Sequence, residues 1–134
     1  MKRIRRIRIL SESIGEVFAN LTEENPKTAK AFYSCLPIEG KANLWGQEIH
    51  FRVPVPVTKE KGRVAVEKGE IALWVESPSF CIFFGKTPAS KEKEIRAFSD
   101  VNVVGKIEGD VEVFKKVKQG EVISLKKVPL LPKK

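Results

Sequence analysis

Residues 15–37 read GEVFANLTEENPKTAKAFYSCLP, a short β pattern that is followed directly by the signals that start a helix. Residues 15–21 are typical of a strand. Asn25 and Pro26 then supply an N-cap and a proline at the first helical position. We therefore expect a helix over residues 26–36 that packs one face into a core. Its inward stripe has the spacing of an amphipathic helix and consists of Ala29, Phe32, Tyr33 and Leu36.

Most of the remaining sequence consists of short β patterns. Two alternating runs, residues 39–45 and 48–57, flank Gly46 and Gln47 and predict a hairpin. Pro54 and Pro56 prevent full pairing, so the second run must end in an edge or a loop. Six further strands are predicted over residues 4–10, 63–67, 70–76, 80–84, 101–107 and 121–128, and a short helix is predicted over residues 110–117.

The number and spacing of these elements predict a mainly β barrel or sandwich. Residues 86–100 are polar and irregular, which is typical of a surface loop. If the sheet closes into a barrel, residues 4–10 and 122–128 should pair, because a barrel leaves no free edge.

Length and composition favour one globular domain, residues 1–134, with one hydrophobic core. No apolar run approaches the ~20 residues of a membrane span, and residues 1–10 do not resemble a signal peptide, so we expect a cytoplasmic protein without membrane contact. Cys35 and Cys81 fit reduced core thiols. These thiols and the one histidine have no metal-ligand spacing, so we expect neither a metal nor another cofactor. The Lys- and Glu-rich composition, 31% charged, resembles that of hyperthermophile proteins.

The formal net charge of +8 raises the question of nucleic-acid binding. The basic residues cluster in residues 1–10, 115–118 and 126–134. No aromatic stacking platform is interleaved with them, and charges on the solvent side of a strand also prevent edge-to-edge aggregation. We therefore expect no nucleic-acid partner.

The sequence resembles the cyclophilins at its best-defined motifs. Residues 15–21, followed by Asn25-Pro26-Lys27-Thr28-Ala29 and Phe32, are similar to the cyclophilin strand that runs into a Pro-Lys-Thr-Ala helix. Residues 44–46, 54–56, 80–88 and 101–105 resemble more closely a family of short prokaryotic cyclophilin-like proteins without an assigned role. This resemblance implies a closed eight-stranded β-barrel with one main helix and one short helix capping its ends.

Cyclophilins are peptidyl-prolyl isomerases whose groove lies outside the barrel. Amide resonance gives the reaction its barrier of ~20 kcal/mol, so a hydrogen-bond donor to the prolyl nitrogen and an apolar pocket lower it. The family's donor is an arginine after a Phe-His pair, and His50-Phe51-Arg52 reverses the pair but keeps the arginine. The resemblance thus implies Arg52 as the candidate catalytic residue. The candidate ligand-binding residues are His50, Trp74, Cys81 and Phe83.

The sequence also departs from the cyclophilin pattern. The family's Gln-Gly-Gly-Asp segment has no counterpart in residues 53–63, and its groove tryptophan and second histidine are missing between Pro88 and Asn102. Two functions therefore stay open. We favour a non-catalytic binding module for a proline-containing peptide or a small ligand; the alternative is a weak peptidyl-prolyl isomerase that uses Arg52.

Trp45 and Trp74 fit either surface anchors for a peptide or small ligand or, by default, core packing. The other candidates also have a purely structural interpretation: Arg52 and His50 fit solvated side chains on a strand, and Cys81 fits a packed thiol that no histidine or helix terminus activates. Residues 128–131 either fold back on the domain or dock on a neighbour, and the oligomeric state is left open.

Overall fold

The computed structural model describes residues 5–129, and all statements about the fold refer to this part of the chain. It contains ten strands, one α-helix and one 3-10 helix, which confirms the mainly β prediction. In chain order the elements are β1 (Arg6–Ser11), β2 (Gly15–Leu21), α1 (Pro26–Ser34), β3 (Ile38–Lys41), β4 (Asn43–Leu44), β5 (Glu48–Arg52), β6 (Arg63–Val66), β7 (Glu70–Trp74), β8 (Ser79–Phe83), β9 (Ile95–Ile107), the 3-10 helix (Val111–Lys116) and β10 (Val122–Lys127).

The strands form one antiparallel sheet in the order β3-β10-β1-β2-β9-β7-β8-β5-β4, with β6 paired to β9 beside this path. The predicted pairing of the first and last strands is confirmed, because Ile7 lies opposite Lys127 and Leu10 lies opposite Ser124. Ile4 and Leu131, which belong to the predicted first strand and the apolar tail, lie outside the described residues.

The prediction of a closed eight-stranded barrel is wrong in strand number and in closure. The sheet is open, because no ladder joins its end strands β3 and β4. These two strands are consecutive, with only Ala42 between them, and each pairs to a different neighbour: β3 to β10 and β4 to β5. At the break, the Ala42 amide donates to the Glu121 carbonyl and its carbonyl accepts from the Gly120 amide, so Ala42 still belongs to the β10 side.

Helix α1 begins at Pro26 as predicted and ends at Ser34, two residues earlier than predicted. The Asn25 side chain makes no cap hydrogen bond. It donates instead to the Val103 carbonyl and accepts from the Lys61 amide. The carboxylate of Glu60 caps the helix by accepting from the Lys27 and Thr28 amides. A residue of a distant loop therefore satisfies the first amides of the helix.

The main core lies between α1 and the inner face of the sheet. Phe32 of α1 stacks on Phe80 of β8, with ring centroids 5.2 Å apart and an interplanar angle of 8°. Phe51 of β5 contacts Phe80 at 5.7 Å. All three rings are at most 2% exposed. They form the centre of the core that holds α1 against the sheet.

Strand β9 is longer than predicted. It starts at Ile95, inside the segment predicted as a surface loop, because Ile95 and Ala97 face the sheet in alternation with Arg96. Between the pairs Ala65–Arg96 and Arg63–Val101, residues 97–100 lie opposite Val64 alone. This wide bulge projects side chains away from the sheet, as bulges characteristically do.

Candidate functional site

The outer face of β5, β8 and β7 carries the candidate site. Alternation places Ile49 and Phe51 of β5 in the main core, so Glu48, His50 and Arg52 lie on the outer face. Beside the pair of Glu48 and Phe83, the register forms two longer cross-strand rows on this face. The first row is His50, Cys81, Ala72 and Val103; the second is Arg52, Ser79, Trp74 and Val101.

A second apolar cluster covers part of this outer face. β6 and the first half of β9 fold over it, so that Phe83 is fully buried there against residues of β6, β7 and β9. Where this cover ends, a pocket of about 210 Å³ opens. Its lining consists of Trp45, Glu48, His50, Trp74, Ser79, Cys81, Ala97, Phe98 and Val101.

Three aromatic rings form the rim of the pocket. Phe98 lies 6.0 Å from Trp45 and 6.0 Å from Trp74 between ring centroids, with its ring nearly perpendicular to both. The β9 bulge presents Phe98, which is 75% exposed. The Trp74 indole Nε1–H donates to Ser99 Oγ, which fixes the orientation of this ring.

The turn between β4 and β5 holds Trp45 in place. The Trp45 amide donates to the Glu48 carbonyl at 3.0 Å, and the chain reverses through Gly46 at φ 62°. A Cβ at this glycine would lie 2.8 Å from Pro88 Cδ and 2.9 Å from the Lys86 carbonyl oxygen. Only glycine combines this positive φ with so close an approach to residues 86–88.

Glu48 contributes a buried carboxylate to the lining of the pocket. Its side chain is 7% exposed, and its Oε1 lies 3.4 Å from His50 Nδ1. The distance allows an ion pair when the imidazole is protonated, but Nδ1 has no aligned hydrogen-bond partner. The two groups are therefore close but not locked together.

Cys81 lies on the pocket floor. Burial raises the pKa of its thiol well above the ordinary value, and the neighbouring Glu48 carboxylate raises it further. The thiolate is the nucleophilic form, so this site suppresses the reactivity of Cys81.

We expect iodoacetamide to alkylate Cys35 in the folded protein and to leave Cys81 unmodified. Cys35 is partly exposed, whereas Cys81 is 3% exposed and held as the neutral thiol. Mass spectrometry of the two cysteine peptides measures the extent of each modification. Denatured protein, in which both thiols react, is the control. Equal rates for Cys35 and Cys81 in the folded protein would show that Cys81 is a reactive thiol.

The structure brings together His50, Trp74 and Cys81 as lining residues. Phe83 lies on the same face but is buried under the second cluster. Arg52 is exposed at the end of β5 and borders the pocket through its row neighbour Ser79, without lining it.

Sequence reasoning missed Glu48, Ser79, Ala97, Phe98 and Val101 as lining residues. Glu48 could have been found, because it shares the alternation of His50 on the outer face of β5. Phe98 carried no such signal, since its position depends on the bulge in a segment predicted as a loop.

Among residues 5–129, no group of three or more His, Cys, Asp or Glu side chains is arranged to hold a metal ion. Neither helix in this range has the length and apolar composition that crossing a bilayer requires.

Comparisons with known proteins agree with the architecture. The sequence model of a family described as cyclophilin-like matches residues 5–126. The solution structure of the hypothetical protein AF2241 from Archaeoglobus fulgidus is similar, with 42% sequence identity and a TM-score of 0.80 over 93% of this chain and 95% of that chain. A comparison with curated proteins gave no match. The match over residues 5–126 confirms the resemblance drawn from the sequence: the chain belongs to the cyclophilin-like family.

Proposed function

We propose that the chain is a binding module that takes a small molecule, or one side chain of a peptide, in the pocket between Trp45, Trp74 and Phe98. The observation that carries this proposal is the exposed ring of Phe98, which the β9 bulge holds at the mouth of an apolar pocket. Large exposed aromatic side chains beside a concavity are typical of ligand sites.

The construction of the pocket supports binding without large rearrangement. Its floor consists of side chains on β5, β7 and β8, whose positions are set by paired strands. Sites built on paired strands hold their geometry better than sites built on loops. The volume of about 210 Å³ is below the range of drug-sized pockets, which favours a small ligand or a single side chain.

The second candidate function is a weak prolyl isomerase. It is supported by the position of Arg52, which lies in one cross-strand row with Ser79 and Trp74 and so borders the same pocket. Isomerisation would require Arg52 and the pocket between the three aromatic rings to contact the same peptide.

The two tryptophans of the chain provide a direct test of the binding module, because both line the pocket. A ¹⁵N-labelled sample gives two indole N–H signals, which Trp45→Phe and Trp74→Phe variants assign. We expect a screen of small metabolites and short proline peptides to yield ligands that shift both signals and raise the melting temperature. Ligands that raise the melting temperature without moving either indole signal would place binding elsewhere and contradict the proposal.

The Phe98→Ala variant tests the rim. We expect it to lower the affinity for any such ligand about tenfold, because an aromatic contact that a ligand buries contributes on the order of 1–2 kcal/mol. The matched control is Val122→Ala, which removes another exposed apolar side chain on β10. Equal effects of the two substitutions would count against a role for the rim.

A further inference from the structure

We infer that the pocket selects a methylated ammonium group, an inference that rests on the proposed function and names the chemistry of its ligand. The juxtaposition behind it is a buried carboxylate, Glu48, in a pocket whose rim consists of the three rings Trp45, Trp74 and Phe98.

Glu48 is the only carboxylate among the described lining residues, and His50 is the only basic side chain. A carboxylate that is 7% exposed is costly unless a cation or hydrogen bonds compensate it. The nearby His50 Nδ1, at 3.4 Å, is not aligned for a hydrogen bond. In a chain of net charge +8, the pocket is thus a local site that favours a cation.

The charged groups that flank the pocket do not cancel this preference. Arg52 points out at the end of the second row, outside the lining. Arg96 of β9 is paired with Glu94. Glu76 lies within 3.5 Å of Ser99 Oγ and adds a second carboxylate near the rim.

Most hydrogen-bond donors of the lining are already used within the protein, which leaves the N–H groups of the Trp45 indole and the His50 imidazole. The Trp74 indole N–H is used by Ser99, and the Ser79 hydroxyl is used by the Ser77 carbonyl. The Cys81 thiol has the Ser79 carbonyl and the Glu48 carboxylate as acceptors, so it too is used within the protein. An anion or a sugar would need such donors, whereas a quaternary ammonium group has no N–H and spreads its charge over methyl groups. Aromatic rings and a nearby carboxylate are the partners that such a cation prefers.

The size of the pocket also fits a methylated ammonium group. The pocket volume of about 210 Å³ corresponds to roughly seven water molecules at about 30 Å³ each. A trimethylammonium group with its first methylene groups has a similar number of heavy atoms. It therefore fits the space without displacing the rim.

The decisive experiment compares choline with 3,3-dimethyl-1-butanol, in which carbon replaces the charged nitrogen and the shape is kept. Both are titrated into the wild-type protein while the two indole signals are followed. We expect choline to bind about tenfold more tightly than the alcohol, which is the usual size of a cation–π and charge contribution in a partly desolvated site. Equal affinities, or tighter binding of the alcohol, would overturn the cation inference and leave the binding module in place.

The Glu48→Gln variant tests the carboxylate separately. We expect it to reduce the preference for choline over the alcohol to near unity. The matched control Glu112→Gln removes the same charge on the 3-10 helix, where Glu112 pairs with Lys68 and Lys115, and should keep the full preference. If Glu48→Gln does not fold, the wild-type comparison still decides the point. An unchanged preference in a folded Glu48→Gln protein would overturn the role of Glu48.

A further comparison distinguishes two sources of the methylated ammonium group. A peptide with trimethyllysine that binds more tightly than choline assigns the group to a modified side chain, and the reverse order assigns it to a free small molecule. Tighter binding of the unmodified lysine peptide than of its trimethylated form would overturn the preference for methylation. If neither choline nor the peptides shift the indole signals, the cation inference fails. The binding-module proposal is then tested separately by the screen of small metabolites and short proline peptides.

Discussion

Phe32→Ala is expected to remove about 3–5 kcal/mol from the free energy of unfolding, as truncation of a fully buried phenylalanine does. Phe32 is the residue of α1 that reaches the centre of the main core, where its ring stacks on Phe80 at 5.2 Å. The substitution leaves a cavity between the helix and the sheet and removes the stacked contact. Because a small domain has only about 5–15 kcal/mol of stability, the loss is a large share of the total.

Chemical denaturation followed by circular dichroism measures this loss. Phe98→Ala is the matched control, because it removes the same side chain from a position that is 75% exposed. We expect the control to change the free energy of unfolding by no more than about 0.5 kcal/mol. Similar losses for both variants would contradict the assignment of Phe32 to the centre of the core.

The second large effect concerns prolyl isomerisation. We expect turnover of a short proline peptide to be absent or several orders of magnitude below that of a true cyclophilin. The reaction requires a donor at the prolyl nitrogen while apolar walls hold the ring, and a misplacement of ~1 Å costs on the order of a hundredfold. Arg52 is exposed and does not line the pocket, and residues 53–63 lack the segment that fixes the peptide in cyclophilins.

NMR exchange spectroscopy or a protease-coupled assay measures the rate, with Arg52→Ala beside the parent. Lys126→Ala, which removes an exposed cation from β10, controls for the change in net charge. Cyclophilin-like turnover that Arg52→Ala abolishes and Lys126→Ala retains would make Arg52 catalytic and overturn the binding-module proposal.

Local sequence signals predicted the elements whose causes are local. The helix start at Pro26 follows from proline chemistry and is present. The pairing of β1 with β10 was predicted from barrel closure instead, and it is present although the sheet is open. The end of β5 at Arg52 agrees with the two prolines that follow it. Whether the sheet closes into a barrel could not be predicted from such local signals. It depends on how the segment around Ala42 divides its hydrogen bonds between two neighbours.

The candidate site was predictable only in part for the same reason. The cyclophilin resemblance implied His50 and Trp74 as ligand-binding residues, and both line the pocket. Phe98 reaches the pocket through a bulge whose register is set by β6, a strand some thirty residues earlier in the chain. Glu60 caps α1 from a loop in the same long-range manner. Such contacts join residues that are distant in sequence, so no local pattern predicts them.

The position of β1 between β2 and β10 has a consequence for synthesis of the chain. While the ribosome produces the protein, β1 can pair with β2 early, but its other edge stays unpaired until β10 emerges. Unpaired strand edges recruit other strands, and charged side chains on the edge counter this. Arg6 and Arg8 lie on β1, each partly exposed, and pair with Glu108 and Glu16 in the finished fold. We therefore expect these arginines to protect the nascent chain from aggregation until β1 pairs with β10, where Ile9 lies opposite Leu125.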